Sequence, residues 1–129
     1  MKKLLGFSIF LVFVLIASLT AEAKVTLPAI FSDNMVLQQN TQVNVWGKAA
    51  PGEKVTVKAS WLDKAVTAKA AANGKWTVKL KTPKAITNQS VTVSGENEIT
   101  INNVLIGEVW LCTGQSNMEF PVSRHPDVK

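Results

Sequence analysis

Cysteine and histidine are almost missing from this 129-residue chain; each occurs once, as Cys112 and His125. One cysteine excludes an internal disulfide, so any folded part must be held by core burial. The shortage of both residues also removes the Cys/His clusters from which zinc sites are built, and no metal or other cofactor is expected. Carboxylates are few, and Asp33, Glu53, Glu108 and Glu119 show no paired spacing of the kind that acid/base cleavage of sugars uses. Basic residues outnumber acidic ones, 14 to 9, but no basic stripe interleaved with aromatics is present, which excludes a nucleic-acid partner. The lysines from Lys48 to Lys84 are spread out and many alternate with apolar residues, as on solvated strand faces.

Long apolar runs are confined to the start of the chain. Lys2 and Lys3 precede an almost wholly apolar stretch from Leu4 to Leu19, and Ala21-Glu22-Ala23 supplies a small-x-small cleavage pattern. This is the layout of a secretory signal peptide over residues 1–23, cleaved after Ala23. The run is shorter than the roughly 20 residues a spanning helix needs. A periplasmic or secreted mature chain beginning near Lys24 is expected, with no membrane partner after cleavage.

Short alternating runs dominate the middle of the chain. Gln42–Trp46, Val55–Ala59, Val66–Ala70, Trp76–Leu80, Ser90–Val93 and Glu98–Ile101 each alternate polar with apolar residues. Turn chemistry separates them: Ala50-Pro51-Gly52-Glu53, Asp63-Lys64, Thr82-Pro83 and Gly95. Asn73-Gly74 is the strongest short hairpin signal in the chain. Strands recurring about every ten residues predict a mainly β fold over residues 24–103, an Ig-like antiparallel β-sandwich. A period of two puts Val43, Val45, Val55, Val57, Ala59, Trp76, Val78, Leu80, Val91, Val93, Ile99 and Ile101 inside. Trp46 and Trp110 are also expected in the core, whereas Trp61, beside a turn, is the tryptophan expected to be exposed.

The pattern changes after Asn103. Val104-Leu105-Ile106 and Val109-Trp110-Leu111-Cys112 are nearly unbroken apolar stretches, as in strands buried on both faces of a parallel sheet. Residues 104–129 therefore read as the truncated opening of an α/β layer, with Cys112 packed as a small hydrophobe. After the second stretch comes Thr113-Gly114-Gln115-Ser116-Asn117-Met118-Glu119. A sharp turn after a buried strand presents a serine hydroxyl where substrate can reach it, and Gly114 permits such a turn. Ser116-x-x-Glu119 is also a capping-box pattern, whose first amides point toward an anion. Ser116 could thus supply a nucleophile and an oxyanion-binding N–H. The same spacing fits a plain N-cap, and a hydroxyl engaged in capping is less free to attack. Pro121 limits any helix here to about one turn.

The block Gly107-Glu108-Val109-Trp110-Leu111-Cys112-Thr113-Gly114-Gln115-Ser116-Asn117-Met118-Glu119-Phe120 resembles the nucleophile block of the sialate O-acetylesterase family, a branch of the SGNH (GDSL-type) serine hydrolases. Leu27-Pro28-Ala29-Ile30-Phe31-Ser32-Asp33-Asn34-Met35-Val36-Leu37-Gln38 resembles that family's opening segment. Val45-Trp46-Gly47 and Pro51-Gly52-Glu53 fall where the family has a sandwich strand and turn. The resemblance covers roughly residues 25–122. It implies an esterase that removes O-acetyl groups from sialic acids or related sugars, with Ser116 as nucleophile, Ser116 and Gly114 forming the oxyanion turn, and Gln115 and Asn117 as candidate substrate contacts. The family's other oxyanion donors, a Gly and an Asn from later blocks, have no counterpart here. The family's base is a histidine three residues after an aspartate. His125 has Val122 in that place and Asp127 after it, and is expected to be an exposed loop residue. The chain by itself is expected to be an inactive N-terminal piece. Two rival readings remain: a secreted non-catalytic β-sandwich that binds carbohydrate or a partner, and an acetylesterase acting on xylan or another polysaccharide.

Overall fold

The computed structural model describes residues 24–119 and 121. The expected signal peptide and His125 lie outside the described residues. Seven strands run in order: β1 (Val36–Gln38), β2 (Gln42–Lys48), β3 (Lys54–Ala59), β4 (Val66–Lys69), β5 (Lys75–Lys81), β6 (Ile86–Ser94) and β7 (Glu98–Gly107). They form a five-stranded sheet, ordered β1-β7-β6-β3-β4, and a two-stranded sheet of β2 and β5. All pairings are antiparallel except β1 with β7, which is parallel. The mainly β class expected from the alternating runs is what the chain adopts.

One core lies between the two sheets. Val45, Val78 and Leu80 meet Val55, Val57, Ala59, Val91, Val93 and Ile101 there, all fully or almost fully buried. Each such side chain contributes ~1.5–3 kcal/mol by leaving water. Their polar alternates Lys58, Thr77 and Lys79 are exposed, as a period of two requires. Val43 and Ile99 are only partly buried, at the margins of the core. The buried hydroxyl of Thr82 is satisfied locally: it donates to the Thr41 carbonyl at 3.0 Å and accepts from the Thr41 N–H at 3.1 Å.

The Asn73-Gly74 turn forms, but not as a hairpin between paired strands. Gly74 takes φ +75° and its N–H reaches the Ala71 carbonyl at 2.8 Å. The Asn73 side chain accepts from the Lys75 N–H at 3.0 Å. The flanking strands then part. β4 stays beside β3, while β5 pairs with β2 over seven residues, from Gln42↔Lys81 to Lys48↔Lys75. The turn is the point where the chain crosses from one sheet to the other.

The boundary read at residue 103 falls inside β7. Alternation does stop there, because Ile101 and Val104 are both buried while Asn102 and Asn103 are exposed. The cause is a bulge. Gln89↔Val104 and Val91↔Ile101 are successive pairs, so β7 carries one residue more than β6 between them. Asn103 sits in the left-handed region at φ 51°, which asparagine tolerates better than most residues. The extra residue rephases the strand, and Val104 and Ile106 point back into the same core. Val104-Leu105-Ile106 is therefore the end of an antiparallel strand with β1 added along its other edge.

Three tryptophan expectations are reversed: that for Trp110, in the segment after the sheet, and those for Trp46 and Trp61. Trp46 is 41% exposed on the outer face of β2, where it meets Phe31 edge to face. Trp61 is half-buried against the core, and its indole N–H donates to the Lys81 carbonyl at 2.9 Å. That hydrogen bond ties the loop after β3 to the end of β5.

Candidate active site

The segment carrying Ser116 leaves the sheet at Gly107, the last residue of β7. Its exit is clamped by the end of β1. The Gln39 N–H donates to the Gly107 carbonyl at 2.8 Å, and the Val109 N–H donates to the Gln38 side-chain carbonyl at 2.8 Å. The side-chain amides of Gln38 and Gln39 both donate to the Glu108 carboxylate. The Gln39 side-chain oxygen accepts from the Ala85 N–H at 2.8 Å, which holds that residue in place. Both glutamines thus use donor and acceptor together. The parallel pairing of β1 with β7 makes this possible, because it sets Gln38 opposite Gly107.

The hydrogen bonds from Gln38 and Gln39, in that order of size, hold the Glu108 carboxyl below its ordinary value. The sign is set by which form they favour. A depressed value means that the anchoring is complete above the unfolded-state value and is lost as pH falls through the folded one. The side-chain NH2 signals of Gln38 and Gln39 are therefore expected to shift in NMR on acidification, with a midpoint below the usual glutamate range. In a Glu108→Gln variant that transition should be missing. A midpoint at the ordinary glutamate value in the unaltered chain would contradict the clamp.

Beyond the clamp the chain departs from expectation. Val109–Cys112 is not a strand; Trp110 is 82% and Leu111 89% exposed, and Cys112 is exposed rather than packed. Nothing among the described residues covers them, so these apolar side chains lack the layers that a doubly buried strand needs. Thr113, Gly114 and Gln115 come next, all exposed.

Ser116 opens a single 3-10 turn, Ser116–Glu119, and is exposed. The Met118 N–H closes the turn on the Gln115 carbonyl at 2.9 Å. A Cβ at Gly114 would lie 2.8 Å from Met118 Cγ, so glycine lets the methionine fold back over the turn. The one-turn limit expected from Pro121 agrees with this. Among the described residues, no capping bond joins Ser116 and Glu119. Gly114, Gln115 and Ser116 therefore stand together on one exposed turn; the Asn117 side chain and His125 lie outside the described residues. Among the described residues no group of three His, Cys, Asp or Glu side chains could hold a metal ion. No helix among them is long and apolar enough to cross a membrane.

The clamp residues Gln38, Gln39 and Glu108 drew no functional reading from the sequence. Gln38 closes one resembling block and Glu108 stands near the start of the other, 70 residues on. Only strand pairing shows that they touch.

No family model matches the chain. Among curated proteins it is similar to the sialate O-acetylesterase of Mus musculus, 31% identical over 107 residues, which takes in 74% of this chain and 20% of the relative. The Homo sapiens sialate O-acetylesterase is 30% identical over 101 residues, or 70% of this chain and 19% of that protein. Among solved structures, a carbohydrate acetylesterase from Xanthomonas citri superimposes with a TM-score of 0.69 at 36% identity. That match covers 81% of this chain and 24% of the solved one. The chain thus spans about a fifth of the length of its curated relatives. With relatives of one kind found by sequence and by structure, the chain belongs to the sialate O-acetylesterase-like family of carbohydrate acetylesterases.

Proposed function

We propose that this chain contributes the β-domain and the nucleophile of a secreted serine esterase that removes acetyl groups from O-acetylated sugars, sialic acids foremost. The observation that carries this reading is the relation to acetylesterases over most of the chain, together with a serine held on an exposed turn just after the sheet. In this reading residues 24–107 form an Ig-like sandwich and the segment from Glu108 onward opens an SGNH hydrolase domain.

The chemistry rests on what a hydroxyl can do. Ser116 Oγ attacks the acetyl carbonyl, and its proton passes to a base. The backbone N–H of Ser116 steadies the oxyanion, with Gly114 allowing close approach. The sugar hydroxyl leaves with a proton, and water then releases acetate from the acetyl-serine. Gln115 and Asn117 flank the reacting centre and contact the sugar. The 129 residues hold one histidine, His125, without an aspartate three residues before it. The base and the remaining oxyanion donors therefore come from other sequence, and the 129-residue polypeptide alone is inactive. Removal of residues 1–23 on export completes the proposal.

A direct assay tests it. Incubated with 9-O-acetylated sialic acid or acetylated xylan, the 129-residue chain is expected to release no acetate above the rate of its Ser116→Ala variant. Serine-dependent release by the unaltered chain would sink the claim that its base lies elsewhere.

A further inference from the structure

Lysines scattered along the sequence are collected by the topology. β2 ends where β5 begins, so Lys48 and Lys75 lie directly opposite each other. The N-terminal segment returns to the same rim, because Thr26 forms a two-way bridge with Lys48. Two concavities adjoin there. One, of about 470 Å³, runs along Trp46, Lys48 and Lys75. The other, of about 600 Å³, is bordered by Lys24, Lys48 and Asn73. They share Thr26 and Lys48 and so adjoin along one rim, together called the groove. Both volumes fall in the range of small-ligand sites.

Three lysines border this groove and no carboxylate does. Like charges directly opposite on an antiparallel pair oppose pairing; an anion between them would remove that cost. Of the acidic residues near this end, the Glu53 carboxylate accepts from the Ala50 and Glu96 N–H groups and Glu98 accepts from Ser94, while the exposed Glu96 lines neither concavity. Trp46 supplies the other half of the site. It is 41% exposed, and Phe31 fixes its ring edge to face at 4.7 Å. An indole held in place beside compact ammonium charges offers an apolar surface for the C–H face of a pyranose and point charges for its carboxylate.

We propose that this groove binds an oligosaccharide of carboxylated sugars, with a ring on Trp46 and carboxylates at Lys24, Lys48 and Lys75. The site does not depend on Ser116. It lies at the far end of β2 from the Gly107 exit, about 20 Å away by strand rise, so it would hold a chain rather than the bond being cleaved.

Calorimetric titration of the 129-residue chain with α2,8-linked oligosialic acid tests the proposal. Lys48→Glu/Lys75→Glu and Trp46→Ala are each expected to weaken binding by about tenfold or more. Lys58→Glu/Lys64→Glu makes the same charge change elsewhere and should alter it by less than about twofold. Thermal melts check that each variant folds, and Lys48→Gln/Lys75→Gln serves if the double glutamate does not. Neutral dextran should not bind. Absence of binding to oligosialic acid overturns the proposal. So does equal weakening by both double-glutamate variants, or tighter binding to a single-stranded DNA oligomer of matched charge.

Discussion

Ser116→Ala is expected to abolish acetate release from a hybrid esterase in which residues 24–119 of this chain replace the matching segment of the Xanthomonas citri carbohydrate acetylesterase. The hybrid is built to bring in the base and further oxyanion donors, which the proposed function assigns to sequence outside the 129 residues. It also tests whether this chain presents its serine correctly, since the two proteins share 36% identity over the matched region. Loss of a nucleophile that works with a base removes nearly all of their joint effect, so the drop should be at least about a thousandfold in kcat, with KM little changed. Gly114→Ala in the same hybrid should act more mildly and by a different route. Its Cβ would meet Met118 Cγ at 2.8 Å, a flexible neighbour that can shift at the cost of the turn that aims Ser116. An active hybrid that keeps its rate without the Ser116 hydroxyl would eliminate this residue as nucleophile.

Gly47→Ala should be the most damaging single methyl in the β-domain. Gly47 is buried in β2 and faces the N-terminal segment; a Cβ there would stand 2.2 Å from the Thr26 carbonyl oxygen and 2.9 Å from the Trp76 ring. Neither can yield easily. Thr26 is fixed by hydrogen bonds to Lys48 in both directions, at 2.9 and 3.0 Å, and Trp76 is almost fully buried. Relief requires the N-terminal segment to lift off β2, losing both bonds and exposing Val25. Overpacking and lost hydrogen bonds together put the cost at about 2–4 kcal/mol. For a domain of this size that lowers Tm by roughly 10–25 °C. Gly107→Ala is the internal control: a Cβ there has no neighbour within 4 Å, and its effect should stay within about 0.5 kcal/mol. Equal melting temperatures for the two variants would contradict the close approach of Thr26 to β2.

The strands and most of the core were legible because a period of two is a local property. Val45, Val55, Val57, Ala59, Trp76, Val78, Leu80, Val91, Val93 and Ile101 all lie where alternation puts them. What failed was non-local. Asn73-Gly74 has the chemistry of a hairpin turn, yet β5 has a better partner in β2, with β3 and β4 lying between them in the chain. The Asn102-Asn103 bulge imitates a domain boundary because one extra residue breaks alternation without ending the strand. Trp46 sits on the outer alternate of β2, and only the position of Phe31 shows why an aromatic is stable there. For the site, residue types and order pointed to Ser116 and Gly114 on a short turn, but not to the glutamine clamp that aims the segment.

Local pattern and short motifs, then, determined a mainly β domain, most of its inward-facing residues and a short turn at Ser116. The fold alone decided which strands pair, that Gln38 and Gln39 grip Glu108, and that Lys48 and Lys75 line one concavity with Trp46. The physical reason is reach. Alternation, turn chemistry and capping act over a few residues, whereas these contacts join segments far apart in the chain, and their geometry exists only once the sheets have closed on a common core.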